Sequence, residues 1–218
     1  MFSTILFDLD GTLTDPGEGI TNSVAYALER FGIHIADRKC LYPFIGPPLT
    51  DSFSRYYGMS DSQAEKAVEV YREYFSVKGW LENCPYDGIC AMLANLRASG
   101  KRLLVATSKP EEFAVRILEY FGLSIYFEAI CGAPFHPPKG HGKVDVIRDA
   151  LRRTGISELR GVIMVGDRRH DIQGAHAAGI PAVGVLYGYG DREEHEACQA
   201  DYIVEDVDSL EKLLLKEA

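Results

Sequence analysis

Residues 6–15 read LFDLDGTLTD, a greasy run that ends in two aspartates, Asp8 and Asp10, one residue apart, followed by Gly-Thr. Like charges this close raise each other's cost of ionising. A buried strand that ends in paired acids therefore calls for a cation to sit with them.

Outward from this stretch, short β-rich runs alternate with amphipathic helical ones, the order of a parallel sheet covered by helices. Strands are expected at Thr4–Asp8, Arg102–Thr107, Ala129–Gly132, Gly161–Val165, Ala182–Leu186 and Tyr202–Val204. Several are continuously apolar, as strands buried on both faces are. Between them, Ile89, Met92, Leu93 and Leu96 form one helical stripe, and Pro110 opens another helix that Gly122 stops. Near the C-terminus, Asp208 and Glu211 have capping-box spacing. The fold class is α/β, a Rossmann-like parallel sheet core flanked by helices, with an inserted all-helical subdomain.

That insertion is expected over residues 16–82, leaving 1–15 and 83–218 as the core. Ile20, Val24, Ala27, Leu28 and Phe31 recur at helical spacing, and Ser60 with Gln63 caps a helix carrying Ala64, Ala67, Val68, Tyr71 and Phe75. The stretches DPGEG (15–19) and NCPYDG (83–88) read as its hinges.

In an open parallel sheet, ligands bind beyond the carboxyl ends of the strands. Asp8 and Asp10 follow the first strand, Thr107, Ser108 and Lys109 follow RLLVA, and Gly166, Asp167 and Asp171 follow GVIMV. If those strands are neighbours, four carboxylates, a hydroxyl and lysine converge. Oxygen-only donors suit Mg2+, which would offset the acids and let a phosphate approach. Asp8 could then attack phosphorus, and Asp10 could protonate the leaving oxygen and later deprotonate water. Backbone N–H groups around Leu9, Asp10 and Gly11, the hydroxyls of Thr107 and Ser108, and a lysine would hold the phosphoryl oxygens.

Taken in order, DLDGTLTD, VATSKP, a downstream lysine and VGDRRHD resemble the four motifs of the haloacid dehalogenase superfamily, and the helical insertion resembles its C1-type cap. PFIGPPL (43–49) and VATSKP further resemble the phosphoglycolate phosphatase-like group. The resemblance implies Asp8 as nucleophile, Asp10 as acid/base and Thr107 as phosphate-binding hydroxyl. It also implies Mg2+ held by Asp8, the Asp10 main-chain carbonyl and Asp167, with Asp171 orienting them. An acid at position 10 favours phosphoryl chemistry over dehalogenation, whose halide needs no proton. Many relatives carry K-P-x-P at the third motif, whereas this chain has KGHGKVDVI (139–147), so both Lys139 and Lys143 qualify. Lys143 is preferred because it starts a helix whose apolar residues are Val146, Ile147 and Leu151.

The reading is thus a Mg2+-dependent phosphatase of a small phosphomonoester acting through an aspartyl-phosphate. Phosphoglycolate leads by similarity, with nucleotides, sugar phosphates and pyrophosphate open. A phosphomutase of the β-phosphoglucomutase type, or a non-catalytic phospho-acceptor, are the alternatives. The formal charge of -9 disfavours nucleic acid and anionic membranes as partners, and no apolar run is long enough to span a bilayer. A cytoplasmic monomer or homodimer is expected. Five scattered cysteines without C-x-x-C spacing argue against a disulfide framework or a zinc site.

Overall fold

The computed structural model describes residues 2–138 and 140–216. They divide into two compact units, Met1–Thr14 with Pro85–Ala218, and Asp15–Cys84.

The first unit is built on six strands: β1 (Thr4–Phe7), β2 (Arg102–Pro110), β3 (Ala129–Ala133), β4 (Val162–Gly166), β5 (Ala182–Val185) and β6 (Tyr202–Val204). They are ordered β3-β2-β1-β4-β5-β6, and every pairing is parallel. TILF of β1 and VIMVG of β4 are buried along their whole length, which is why they carry no polar alternation. Strand order reverses between β1 and β4, where such sheets open a crevice. Phe7 is in register with Val105 on one side and Val165 on the other. Residues 8, 106–107 and 166–167 therefore come side by side just past the shared register of these three strands.

Between the two-residue strands Thr14–Asp15 and Cys84–Pro85, the described elements are helical: α1 (Gly17–Arg30), a 3-10 segment (Arg38–Phe44), α2 (Leu49–Tyr57), α3 (Asp61–Tyr74) and a π turn (Phe75–Gly79). Ser60 caps α3 reciprocally with Gln63: the Ser60 hydroxyl accepts the Gln63 N–H, and the Gln63 carbonyl accepts the Ser60 N–H. The buried stripe of α1 (Ile20, Val24, Ala27, Leu28) packs on that of α3 (Ala64, Ala67, Val68, Tyr71). Phe31 and Phe75, read as members of these stripes, fall just beyond the helix ends.

Among the described residues the first unit carries the α-helices α4 (Ile89–Ala98), α5 (Glu111–Tyr120), α6 (Lys143–Arg153), α7 (Arg169–Ala178), α8 (Arg192–Ala197) and α9 (Val207–Leu215). One core joins Leu6, Leu104, Met164 and Ala182 of the strands to Val146, Ile147, Ala150 and Leu151 of α6 and Ile172 and Ala175 of α7. Each Leu, Ile, Val or Met among them contributes about 1.5–3 kcal/mol by leaving water. The core fixes where α6 and α7 begin. The capping expectation at Asp208 is corrected: the acceptor is Asp206, whose carboxylate takes the Ser209 N–H at 2.7 Å. Val207 is buried, so the helix starts earlier and Asp208 falls in its first turn. No helix of the described residues is long and apolar enough to cross a membrane.

Candidate active site

Asp8 is still tied to the sheet, its N–H donating to Val165 O at 2.9 Å. The chain then turns on Leu9, whose carbonyl accepts the N–H groups of Thr12, Leu13 and Thr14 at 3.3, 2.9 and 3.0 Å. Gly11 closes the turn at φ +81°, a conformation L side chains resist. Its N–H donates to Thr14 O at 2.8 Å. That corrects the expectation that Gly11 offers a phosphate donor, because the turn already uses it. Among the described residues the N–H groups of Leu9 and Asp10 donate to nothing, so they are the turn's available donors.

Lys143 opens α6 and points back into the strand ends. A cation in a helix's first turn opposes the macrodipole by about 0.3–1 kcal/mol, and here tertiary partners override that. Its ammonium lies 2.8 Å from Asp8 Oδ1 and 2.7 Å from Asp171 Oδ1, and donates an aligned hydrogen bond to Ala106 O at 3.1 Å. The two carboxylate contacts are ion pairs between buried groups. Close approach is possible because Gly174 of α7 faces the lysine stem; a β-carbon there would stand 2.8 Å from Lys143 Cβ. Burial pulls the ammonium toward losing its proton, but the Asp171 and Asp8 charges outweigh it and hold Lys143 above its ordinary value. Lys139, the other lysine considered, lies outside the described residues.

Asp10 pairs with a residue given no role from the sequence. Lys109 Nζ donates to Asp10 Oδ2 at 2.6 Å, with both groups buried. Burial raises Asp10 above the usual carboxylate range, opposed by Lys109 and reinforced by Asp8. The only signal of Lys109 in the sequence was its place after a strand; its partner is 99 residues away.

Asp167 is fully buried at the end of β4. Its Oδ2 accepts the Tyr189 N–H at 2.8 Å, and its Oδ1 has no partner. Burial, then the charges of Asp171 and Asp8, push it well above the carboxylate range. Asp171 is raised to about 6, mainly by burial, with Lys143 pulling the other way. Both oxygens of Asp171 are engaged, Oδ1 with Lys143 and Oδ2 with the Arg168 N–H at 3.1 Å.

The donor set fits a hard divalent cation. Carboxylate oxygens of Asp8, Asp167 and Asp171 lie within 4.8 Å of one another. Four buried acids, Asp8, Asp10, Asp167 and Asp171, face two ammonium groups, Lys109 and Lys143, a formal excess of two negative charges when all four are ionised. Within the trio, Asp167 Oδ1 is buried with neither a hydrogen bond nor an ion pair, an atom that a cation would satisfy. The Asp10 carboxylate stands outside this trio, held by Lys109.

Thr107 is buried within β2, past the last residue that pairs with β1, and its hydroxyl oxygen accepts the Lys109 N–H at 3.2 Å, which leaves the hydroxyl proton to donate elsewhere. Ser108 follows, half-buried, with no contact that gives it a task. The expected cluster of Asp8, Asp10, Lys143, Asp167 and Asp171 is thus brought together, with Thr107 on the neighbouring strand and Lys109 paired to Asp10.

Residues 5–185 match the model of the haloacid dehalogenase-like hydrolases. The chain is 43% identical over 213 residues to a 5'-nucleotidase of Pseudomonas aeruginosa, covering 98% of this chain and 96% of the relative. It is 44% identical over 186 residues to the tyrosine-protein kinase PtkA of Mycobacterium tuberculosis, covering 85% of this chain and 62% of that longer protein. The crystal structure of a predicted phosphatase from Clostridium acetobutylicum superposes with a TM-score of 0.95 at 46% identity, covering 99% of both chains. All four motifs fall inside the matched residues, and the chain belongs to the haloacid dehalogenase-like hydrolase family.

Proposed function

We propose that this chain is a Mg2+-dependent phosphatase that hydrolyses a small phosphomonoester by passing its phosphoryl group through Asp8. The observation that carries the proposal is the buried junction of Asp8, Lys143, Asp171 and Asp167 beside a separately held Asp10. Asp8, Asp167 and the Asp10 carbonyl would hold the Mg2+, which supplies charge neutralisation for the incoming phosphate.

The chain's own groups divide the rest. A carboxylate oxygen of Asp8 forms the bond to phosphorus as the ester P–O bond breaks, and Asp10 gives its proton to the departing oxygen. Asp10 then takes a proton from water, whose oxygen attacks phosphorus; the bond to Asp8 breaks and phosphate leaves. Lys143, the Leu9 and Asp10 N–H groups and the Thr107 hydroxyl hold phosphoryl oxygens. Positioning and charge provide most of the acceleration.

These residues handle only the phosphoryl group, so the choice of leaving group is assigned to the helical insertion, in the role of a cap. The activity named for the Pseudomonas relative supports a nucleoside 5'-monophosphate, ahead of the phosphoglycolate that the motif resemblance implies. The mycobacterial relative's name supports a second reading, phosphoryl transfer to tyrosine.

The test is phosphate release from a panel of nucleoside monophosphates, phosphoglycolate and sugar phosphates, with Mg2+ and with chelator, alongside an assay for phosphotyrosine after incubation with ATP. Metal-dependent release from one class of ester is the expected result. Phosphotyrosine without phosphate release would reject hydrolysis, and a phosphorylated sugar isomer without net release would identify a mutase.

A further inference from the structure

Beyond Val185, Leu186–Gly190 reads LYGYG, outside the residues that the family model matches. Leu186 stays tied to β6 through its N–H to Val204 O at 2.9 Å. The next four residues cross over the turn that carries Asp10 and over Asp167. Two of them have no room for a side chain. A β-carbon on Gly188 would stand 2.3 Å from Gly11 O and 2.4 Å from Asp167 Cβ, and one on Gly190 would stand 1.9 Å from Asp167 O. Backbone therefore lies directly on backbone, a closeness that alternating glycines permit.

Two hydrogen bonds fasten the crossing. Between the glycines, Tyr189 N–H donates to Asp167 Oδ2 at 2.8 Å. Upstream, the Tyr187 hydroxyl donates to Thr12 O at 3.0 Å, while its ring packs edge-on against Tyr86 with centroids 5.1 Å apart. The segment thus ties the 9–14 turn and the Asp167 carboxylate into one piece.

We infer that the 187–190 strap is a positioning element for the cation site: by engaging Asp167 Oδ2 it presents the partnerless, buried Oδ1 toward Asp8 and Asp171. The inference rests on the proposed Mg2+ site. A group that orients a ligating carboxylate raises metal affinity, and its loss typically costs about 10- to 100-fold. Gly188→Ala would push the strap off Gly11 and Asp167, taking the Tyr189 N–H with it. Tyr187→Phe keeps the ring and removes one tether.

The experiment is titration calorimetry of Mg2+ alone, without substrate, into wild type, Gly188→Ala, Tyr187→Phe and Asp167→Asn, with circular dichroism in chelator to establish folding. Affinity should fall about 10- to 100-fold in Gly188→Ala, severalfold in Tyr187→Phe, and be lost in Asp167→Asn. Should Gly188→Ala fail to fold, Tyr187→Phe decides. Folded strap variants that bind Mg2+ as wild type does would overturn the inference while leaving the site intact. A wild type that binds no Mg2+ would overturn the site and the strap's role together.

Discussion

At the residue scale, Lys143 and Lys109 divide the acids between them, and under the proposed mechanism that division would separate two chemical duties. Lys143 bridges Asp8 and Asp171, whereas Lys109 holds Asp10. Asp8→Asn is expected to abolish turnover with the fold retained, checked by phosphate release and circular dichroism. Asp10→Asn should slow turnover by about 10²–10⁴-fold, the usual contribution of acid–base catalysis. Lys109→Met should free Asp10 from its single orientation. The expected signature is a larger loss on an alkyl phosphate, whose leaving oxygen needs the proton, than on an aryl phosphate with a good leaving group, measured under single-turnover conditions. Equal losses on both would remove the link between Lys109 and the acid. Lys109 was legible as a strand-end residue expected at the crevice, but its pairing with Asp10, 99 residues away, was not. Asp8, Asp10 and Asp167 were legible because acids that end apolar strands have no bland explanation once three motifs share one edge.

At the element scale, the strands were readable from their unbroken apolar runs, and the ends were where reading failed. The expected strand through VATSKP stops at Thr107, yet β2 continues to Pro110 across a register shift between Thr107 and Pro110. Thr-Ser-Lys-Pro has the composition of a helix entry, and the pairing with β3 overrides it. The C-terminal cap was misplaced by two residues because the burial of Val207, invisible in the sequence, decides where α9 begins. The Ser60–Gln63 box was read correctly because both of its bonds are local. Ser60→Ala should cost about 1 kcal/mol, seen as a lower urea midpoint.

Asp201 joins two elements and carries a pH signature. Its Oδ2 accepts the Ala182 N–H at the start of β5 and lies 2.9 Å from His176 Nε2 of α7. Burial pushes the carboxyl up, but the Ala182 and His176 contacts prevail and hold it below its ordinary value. The folded state is therefore favoured by ionised Asp201 above the unfolded value of about 3.9. That contribution disappears as pH falls through the lower, folded value. Urea midpoints should drop more steeply below about pH 4 for wild type than for Asp201→Asn. Parallel profiles would mean the contact contributes nothing.

At the scale of the whole molecule, a chain of net charge -9 gathers four of its acids around two buried lysines and is left short of positive charge at one point. Chelation should stop phosphate release, and added Mg2+ should restore it; release that survives exhaustive chelation would contradict the metal assignment. The central claim is that Asp8 carries the phosphoryl group between two half-reactions. It is tested most directly by acid-quenching Asp10→Asn during turnover with Mg2+ and substrate, then locating the phosphoryl group by peptide mass spectrometry. The account predicts one phosphoryl group on the peptide containing Asp8, absent from the Asp8→Asn protein. A label on any other residue, or a quenched enzyme that hydrolyses substrate and never carries one, would contradict it.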